Sequence, residues 1–423
     1  MLDSITLQGV GPAPSLGPIS FGSRVNLLTG DNGVGKTFLL DVAWWALTGS
    51  WAGRPAWPRP RAVGAPEARI VADVLGKTKA TTLTGRFDAA TDQWVLAQGR
   101  PPMPGLVLYF RVDGQFALWD PAQHYWRRSR PKSTDDPSTR DALYLSPNEA
   151  WNNIASYEGK TICRGLIEDW VTWQQTSSPE WKALCAALDG LSPSEVERLR
   201  PGAPMRVWLD DIRLHPTLDL PYGPTPVTLA SAGMQRILMV AYLLVWAWRG
   251  HIEASKLLGQ APERRLVVLY DEPETHLHPE WQRRLLPSLL RATGALQEGM
   301  DVQYLVSTHS PLVLASMEPE FDDAQDRLMS LSLEAGGVTV ESPAFVKRGD
   351  VVNWLVSESF GLQQARSVPA EEAVEAAERF MRGEATDNPE GMRTQEEIHE
   401  ELLRLLGDRD PFWPRWIVTT GIK

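Results

Sequence analysis

The sequence predicts an α/β fold organised around a parallel sheet, and three stretches carry that prediction. Gly30-Asp31-Asn32-Gly33-Val34-Gly35-Lys36-Thr37 fills the G-x-x-x-x-G-K-[ST] phosphate-loop pattern between a strand-like run and a helix-like run. Arg265 to Tyr270 (RLVVLY) is an apolar run with little alternation, as expected of a strand buried on both faces, and it ends in Asp271-Glu272. Val302 to Ser307 (VQYLVS) is a third such run and leads into Thr308-His309-Ser310-Pro311. Polar residues at the carboxyl ends of buried parallel strands emerge where open α/β sheets bind their ligands.

From the amino terminus, Met1 to Gln8 reads as a strand, and Arg24 to Thr29 (RVNLLT) as the strand that feeds the phosphate loop. The loop glycines let successive N–H groups turn inward, and the helix predicted at Phe38 to Leu47 (FLLDVAWWAL) adds the partial positive charge of its amino end. A nucleoside triphosphate is the ligand such a loop predicts. Gly30, Asn32, Gly33 and Gly35 are candidate binding positions, Lys36 reaches the β and γ phosphates, and the Thr37 hydroxyl ligates Mg²⁺. A glycine-rich turn with a chance lysine is the plainer alternative, and the flanking strand and helix argue against it. A Pro/Arg/Trp-rich loop at 51–66 follows, and a strand at Leu106 to Val112 (LVLYFRV) precedes Gln115.

The middle of the chain predicts helices at Gly165 to Gln175 and Glu180 to Leu188, then a Pro-rich entry at 215–226. Ala230-Ser231-Ala232-Gly233-Met234-Gln235 opens a helical run, Arg236 to Trp248, so Ser231, the Gly233 amide and the helix amino end form a second anion-binding surface. Asp271 is placed to hold Mg²⁺, and Glu272 to orient and deprotonate the water that attacks the γ phosphate. An acidic pair capping a helix is the alternative for that segment read alone. His309, at a strand end, can donate a hydrogen bond to the γ phosphate; read alone it is a turn residue. Further helices are predicted at Val351 to Phe360, Ala370 to Arg382 and Gln395 to Leu406, with a polar stretch at 383–394 that reads as mobile. Asp410 to Trp416 forms an aromatic plug that either caps the core or docks a partner.

The order phosphate loop, Ser-x-Gly-x-Gln, strand-Asp-Glu, strand-x-His resembles the ABC-type ATPase superfamily over residues 1 to about 350. The resemblance implies an ABC-type ATPase nucleotide-binding fold with ATP and Mg²⁺ as its ligands. It makes Lys36 and Thr37 the Walker A ligands, Asp271 and Glu272 the Walker B pair and His309 the switch histidine. Ser231 and Gly233, with Gln235, become the signature that meets the γ phosphate held by the other subunit. It also implies a glutamine at the lobe junction, for which Gln115 is the candidate. The interval from Ser231 to Asp271 is longer than in transporter ATPases, and Asp271 to Pro279 (DEPETHLHP) replaces their Ser-Ala-Leu-Asp type of loop. Together with Ser307 to Pro311 (STHSP), this form looks like the soluble branch that contains the overcoming-lysogenization-defect ATPases, RecF-like and SMC-like proteins, and the ATPase subunits of Septu-type antiphage systems. No sustained heptad repeat lies between Thr37 and Ser231, so the long coiled-coil arm of a true SMC protein is not expected. No second strand-borne carboxylate set of the Toprim nuclease kind follows His309.

The organisation that results is an ATPase lobe at 1–120, a mostly helical insertion at 121–225, a second ATPase lobe at 226–346 and a helical C-terminal region at 347–423. With 423 residues, 43% of them hydrophobic and 22% charged, the chain can bury a large core. Its longest apolar run, Ile237 to Trp248, is too short to cross a bilayer, and no amino-terminal stretch resembles a secretory signal, so a cytoplasmic location is expected. Cys163 and Cys185 make no disulfide framework. His276 and His278 lack a third ligand for zinc, and Glu371, Glu372, Glu375 and Glu378 read as a solvated helix face. A net charge of −11 argues against a body-wide basic surface for DNA. Arg127 to Lys132, preceded by His124-Tyr125-Trp126, and Arg54 to Arg61, interleaved with Trp57, are local runs suited either to phosphate contact with stacking or to solvated loops.

The resemblance thus implies a slow ATPase switch. Two copies trap ATP between Lys36 of one and Ser231 and Gly233 of the other, and hydrolysis at Glu272 reopens them. The output passes to a separately encoded effector, a nuclease in an antiphage system. A RecF-like clamp touching DNA directly and an assembly scaffold that binds ATP without needing turnover are the alternatives; a transporter ATPase fits the motif spacing poorly.

Overall fold

The computed structural model describes residues 1–60, 67–76, 79–97, 102–125, 142–155, 161–192, 194, 197–334, 336–358 and 360–422. The basic run Arg127 to Lys132 lies outside the described residues, as does Arg61. From the amino end, β1 (Leu2–Val10) and β2 (Ala13–Ser20) make a hairpin, and β3 (Val25–Gly30) runs through the phosphate loop into α1 (Lys36–Thr48). Next come β4 (Arg69–Leu75), β5 (Ala80–Asp88), β6 (Gln93–Leu96), β7 (Leu106–Phe110), β8 (Phe116–Trp119) and β9 (Leu143–Leu145). Then follow α2 (Pro147–Asn152), β10 (Ile154–Ala155), β11 (Thr161–Cys163), α3 (Gly165–Thr176) and α4 (Pro179–Leu191). The short strands β12 (Met205–Arg206), β13 (Leu214–His215), β14 (Thr217–Leu220) and β15 (Gly223–Pro226) precede the long helix α5 (Ala232–Leu257). The unit closes with β16 (Arg265–Asp271), α6 (Pro279–Gln282), α7 (Leu285–Gly294), β17 (Asp301–Ser307), α8 (Pro311–Ser316), β18 (Arg327–Glu334) and β19 (Gly337–Glu341).

Two sheets carry the fold. The larger has the order β19-β18-β3-β17-β16-β7-β8-β9, in which β18, β3, β17, β16 and β7 are mutually parallel and the outer strands antiparallel. The smaller, β2-β1-β4-β5-β6, is antiparallel. Helix α1 lies between them. Leu39, Leu40, Val42, Ala43, Trp44, Trp45, Ala46 and Leu47 are all buried, so most of this helix surface needs apolar cover. Ile5, Leu7, Ile70 and Ala72 of the small sheet and Val107, Tyr109, Val267, Leu269 and Leu305 of the large one supply it in a single core. Gln303 ties the sheets together: its Oε1 accepts from Leu2 N at 2.8 Å and its Nε2 donates to Leu2 O at 2.7 Å.

The register of the parallel strands places the site. Asp271 pairs with Ser307, Ser307 with Leu28, and Tyr270 with Phe110. The carboxyl ends of β3, β17, β16 and β7 therefore form one edge, and the phosphate loop opens from it.

The structure departs from the sequence reading in several places. Residues 1–349 form one compact unit, which contains both expected ATPase lobes and the insertion between them. Among the described residues of 121–225 the structure is mixed: it carries α2, α3 and α4 but also β9 to β15, and β9 joins the large sheet. Prolines at 201, 204, 216, 221, 224 and 226 explain the loss of helix in its second half, where each removes a backbone donor. The strand at Met205–Arg206 is only two residues long. Helix α5 extends beyond the predicted 236–248 in both directions, with the Ser231 hydroxyl capping its amino end.

Residues 350–423 form a second compact unit, of α9 (Val351–Leu355), α10 (Val368–Met381), α11 (Gln395–Leu405) and α12 (Trp413–Thr420). Its core gathers Ala373, Val374, Ala377, Ile398, Leu402, Phe412 and Trp416, so the aromatic plug caps this core. The polar stretch 383–394, expected to be mobile, is pinned where Asn388 Nδ2 donates to the carbonyls of Ala376 and Met392, each at 2.9 Å. Among the described residues, no helix is long and apolar enough to cross a membrane.

Candidate functional site

The phosphate loop needs its glycines for stated reasons. Gly30, Gly33 and Gly35 have φ of 133°, 81° and 97°, which side chains with a Cβ rarely adopt. A Cβ on Gly30 would also lie 2.1 Å from the Leu331 carbonyl oxygen. Gly35, left-handed, starts α1, and the loop crown Asp31, Asn32 and Gly33 is exposed. Lys36 is buried at 5% exposure, and its Nζ donates to the carbonyls of Gly30 and Asp31, both at 2.8 Å. Burial lowers its pKa from the usual lysine value, opposed by the nearby carboxylates, Glu272 first.

Next to it lies a hydroxyl and carboxylate cluster. Thr37 Oγ1 donates to Asp271 at 2.9 Å (Oδ2) and 3.1 Å (Oδ1), and Ser307 Oγ donates to Asp271 Oδ1 at 2.5 Å. Asp271 is only 1% exposed. A buried carboxylate that meets hydroxyls but has no ion pair among the described residues is a place where a bound cation would be favoured. Thr37 and Asp271 offer the hard oxygen pair that Mg²⁺ takes from proteins while it keeps waters and phosphate oxygens. The residues present fit that ion.

Glu272 follows Asp271 with φ of 46°, an unusual conformation for glutamate. Its N–H donates to Ser307 O and Oγ, both at 3.1 Å, and its carbonyl accepts from Thr275. Those contacts hold its backbone and direct its carboxylate to His309, whose Nε2 lies 3.3 Å from Glu272 Oε1. His309 is held by Glu274, whose Oε1 accepts from His309 N at 2.7 Å and Thr308 Oγ1 at 2.8 Å. Burial raises the Glu274 pKa, and burial then Lys36 lower that of His309.

Helix α5 joins this cluster through Arg236. Its Nη1 donates to Val112 O at 3.1 Å, and its Nη2 approaches the carbonyls of Glu272 (3.3 Å), Asp271 (3.4 Å) and Arg111 (3.5 Å). One guanidinium thus binds the ends of β7 and β16 to the helix that begins at the serine-glycine motif. Arg111, at the end of β7, donates to Asp41 of α1 at 2.6 Å and lies over the Tyr109 ring.

The structure thus brings together Lys36, Thr37, Asp271, Glu272 and His309. Ser231, Gly233 and Gln235 sit at the start of α5, and no described hydrogen bond joins them to the phosphate loop. The Ser231 hydroxyl accepts from Met234 N at 3.3 Å, and Gln235 Nε2 donates to the carbonyls of Thr228 and Ala230. Gly233 has a packing reason of its own, since a Cβ there would lie 2.8 Å from the His276 carbonyl oxygen. Gln115 is exposed in the β7–β8 turn, its N–H bonded to Asp113, and it lines a pocket with Arg111, Gln235, Arg236 and His276. None of its described hydrogen bonds reaches Thr37 or Asp271. His278 caps α6 by accepting from Glu280 N, and among the described residues no group of three or more His, Cys, Asp or Glu side chains is arranged to hold a metal. The sequence reading missed Arg236, Glu274, Ser307, Asp41 and Arg111. Ser307 and Glu274 stand inside the quoted motifs, but only the strand register gives them their partners.

Residues 212–315 match the family described as "AAA domain, putative AbiEii toxin, Type IV TA system". The chain is 29% identical over 98 residues to the Retron Ec83 probable ATPase of Escherichia coli, a match covering 23% of this chain and 15% of that one. It is 39% identical over 54 residues to the Retron Vc95 probable ATPase of Vibrio cholerae serotype O1 biovar El Tor, covering 13% of this chain and 9% of that one. The chain therefore spans a small part of the length of either relative. Among solved structures, the SMC head domain from Thermotoga maritima aligns with a TM-score of 0.41 and 14% identity, over 81% of this chain and 98% of that one. The Smc head domain derived from Pyrococcus furiosus, bound to the C-terminal domain of ScpA, aligns with a TM-score of 0.43 and 14% identity, over 81% and 96%. The stretch that carries Ser231, Asp271, Glu272 and His309 is thus similar to AAA-type ATPase domains.

Proposed function

We propose that this protein binds ATP with Mg²⁺ at the loop 30–37, hydrolyses it slowly, and uses the cycle as a switch between open and ATP-closed pairs of the chain. The observation that carries the reading is the meeting of Lys36, the Thr37–Asp271 contact and the Glu272–His309 pair at the carboxyl ends of β3, β16 and β17. Lys36 leaves the Gly30 and Asp31 carbonyls for the β and γ phosphates, and the loop amides and the α1 amino end cradle them. Thr37 and Asp271 are the residues that hold Mg²⁺, which when bound neutralises charge on the phosphate oxygens. Glu272 orients the attacking water and accepts its proton, and His309 fixes the Glu272 carboxylate and meets the γ phosphate.

Ser231 and Gly233 act across the pair, on ATP held by the second copy. They lie at an exposed helix amino end with no described bond to their own phosphate loop, which supports that role. The resemblance to Septu-type and related ATPases, together with the matched retron ATPases, supports an antiphage setting in which the ATP-closed pair controls a separate nuclease effector. Steady-state phosphate release by the wild-type chain, Lys36→Ala and Glu272→Gln tests the catalytic assignment. Turnover falls at least about 100-fold in Glu272→Gln while ATP binding persists, and Lys36→Ala loses both. Unchanged turnover in Glu272→Gln would overturn the assignment of the base.

A further inference from the structure

Glu272 and Glu274 both follow β16, and the roles above give chemistry only to the first. Their surroundings differ. The Glu272 side chain is 32% exposed, so water reaches it. Glu274 makes both of its side-chain bonds through one oxygen: Oε1 accepts from His309 N at 2.7 Å and from Thr308 Oγ1 at 2.8 Å. Its Oε2 is closed to solvent and accepts from none of the described residues. An attacking water has no way to that oxygen, so Glu274 is not a second base. An anionic oxygen buried without a donor is costly, whereas the neutral acid loses far less by the same burial. Burial, and after it the nearby Glu272 carboxylate, push the Glu274 pKa up. The site therefore takes an acceptor from Glu274 and not a charge.

That acceptor holds the turn that carries His309. Thr308 Oγ1, whose proton goes to Glu274, accepts from Ser310 N at 3.0 Å, and Ser310 Oγ donates to Gln282 Oε1 at 2.7 Å. Gln282 Nε2 in turn donates to Leu277 O at 2.9 Å. The segment after β17 is thus laced to the segment after β16 on both sides of His309, and Glu274 bonds the His309 N–H itself. This lacing sets the backbone from which the His309 ring comes within 3.3 Å of Glu272.

We infer that Glu274 is a positioning residue: through one accepting oxygen, and without using charge, it fixes the His309 turn and so the ring that faces Glu272. This rests on the hydrolytic reading of Glu272 and His309 above. Two glutamates two residues apart then have opposite requirements, since an amide replaces Glu274 but not Glu272.

Phosphate release gives kcat and KM for ATP in wild type, Glu274→Ala, Glu274→Gln and Glu272→Gln, and NMR follows the His309 ring protons in the same proteins. Glu274→Ala is expected to lower kcat about 10- to 100-fold with KM within about twofold, and to move the His309 ring signal. Glu274→Gln keeps the accepting oxygen and is expected to restore both, while Glu272→Gln does not turn over. If Glu274→Ala does not fold, Glu274→Gln carries the test by itself. A Glu274→Gln protein as inactive as Glu272→Gln overturns the inference, because Glu274 then acts through its charge. Wild-type kcat with an unmoved His309 signal in Glu274→Ala overturns it as well. Full turnover in Glu272→Gln overturns the hydrolytic reading instead. The His309 signal then decides on Glu274 alone: moved in Glu274→Ala and restored in Glu274→Gln it supports the clamp, and unmoved in Glu274→Ala it overturns it.

Discussion

His309 and Lys36 share an environment in which burial is the first influence on charge, and both are held below their ordinary pKa. For His309 the folded value lies below the 6.5 of a free histidine, so at neutral pH the ring is neutral, with its Nε2 3.3 Å from Glu272 Oε1. As pH falls through 6.5 the unfolded chain takes up its proton before the folded one does. Stability from this residue is therefore full above 6.5 and declines below it, down to the folded pKa. An NMR titration of His309 is expected to give a midpoint below 6.5, and a lower one still in Glu272→Gln, because Glu272 is among the groups that raise it. A midpoint above 6.5 would mean that the carboxylate outweighs burial and that His309 is cationic in the resting site. Lys36, Thr37, Asp271 and Glu272 were legible in the sequence because a phosphate loop and a strand ending in two acids are local patterns. Ser307, Glu274 and Asp41 were not, because their partners come from other elements: Ser307 meets Asp271 across β17 and β16, Glu274 meets Thr308 and His309 beyond β17, and Asp41 of α1 meets Arg111 at the end of β7.

At the scale of elements, α5 does more than present a serine and a glycine. Arg236 reaches the ends of two strands, so a shift of α5 displaces the carbonyls beside Asp271 and Glu272. Arg236→Ala is expected to destabilise residues 1–349 by about 1–3 kcal/mol, through carbonyls left short of donors, and to lower turnover with it. Denaturant midpoints read the first effect and phosphate release the second; a variant with unchanged midpoint and unchanged turnover would show that the guanidinium contacts are incidental. Helix α1 illustrates the other limit. Trp44 is fully buried between the two sheets, and Trp44→Ala is expected to cost about 3–5 kcal/mol in a denaturant melt. Long apolar helices and buried parallel strands were legible from their periodicity. The short strands at 205–226 were not, since strands of two to four residues between prolines have no period to read.

For the whole molecule, the fold separates two tasks. One edge of the large sheet gathers the residues assigned to phosphate, metal and water, and at the amino end of α5 Ser231 is exposed and Gly233 half-buried, with no described hydrogen bond to the phosphate loop. We propose that a second copy completes the site through Ser231 and Gly233. Light-scattering mass of Glu272→Gln, with and without ATP and Mg²⁺, tests it most directly. A species near twice the 47.1 kDa chain mass is expected in ATP, returning to the single-chain value when ATP is removed or when Lys36→Ala is added. A single-chain mass at saturating ATP, with nucleotide shown to be bound, would contradict it.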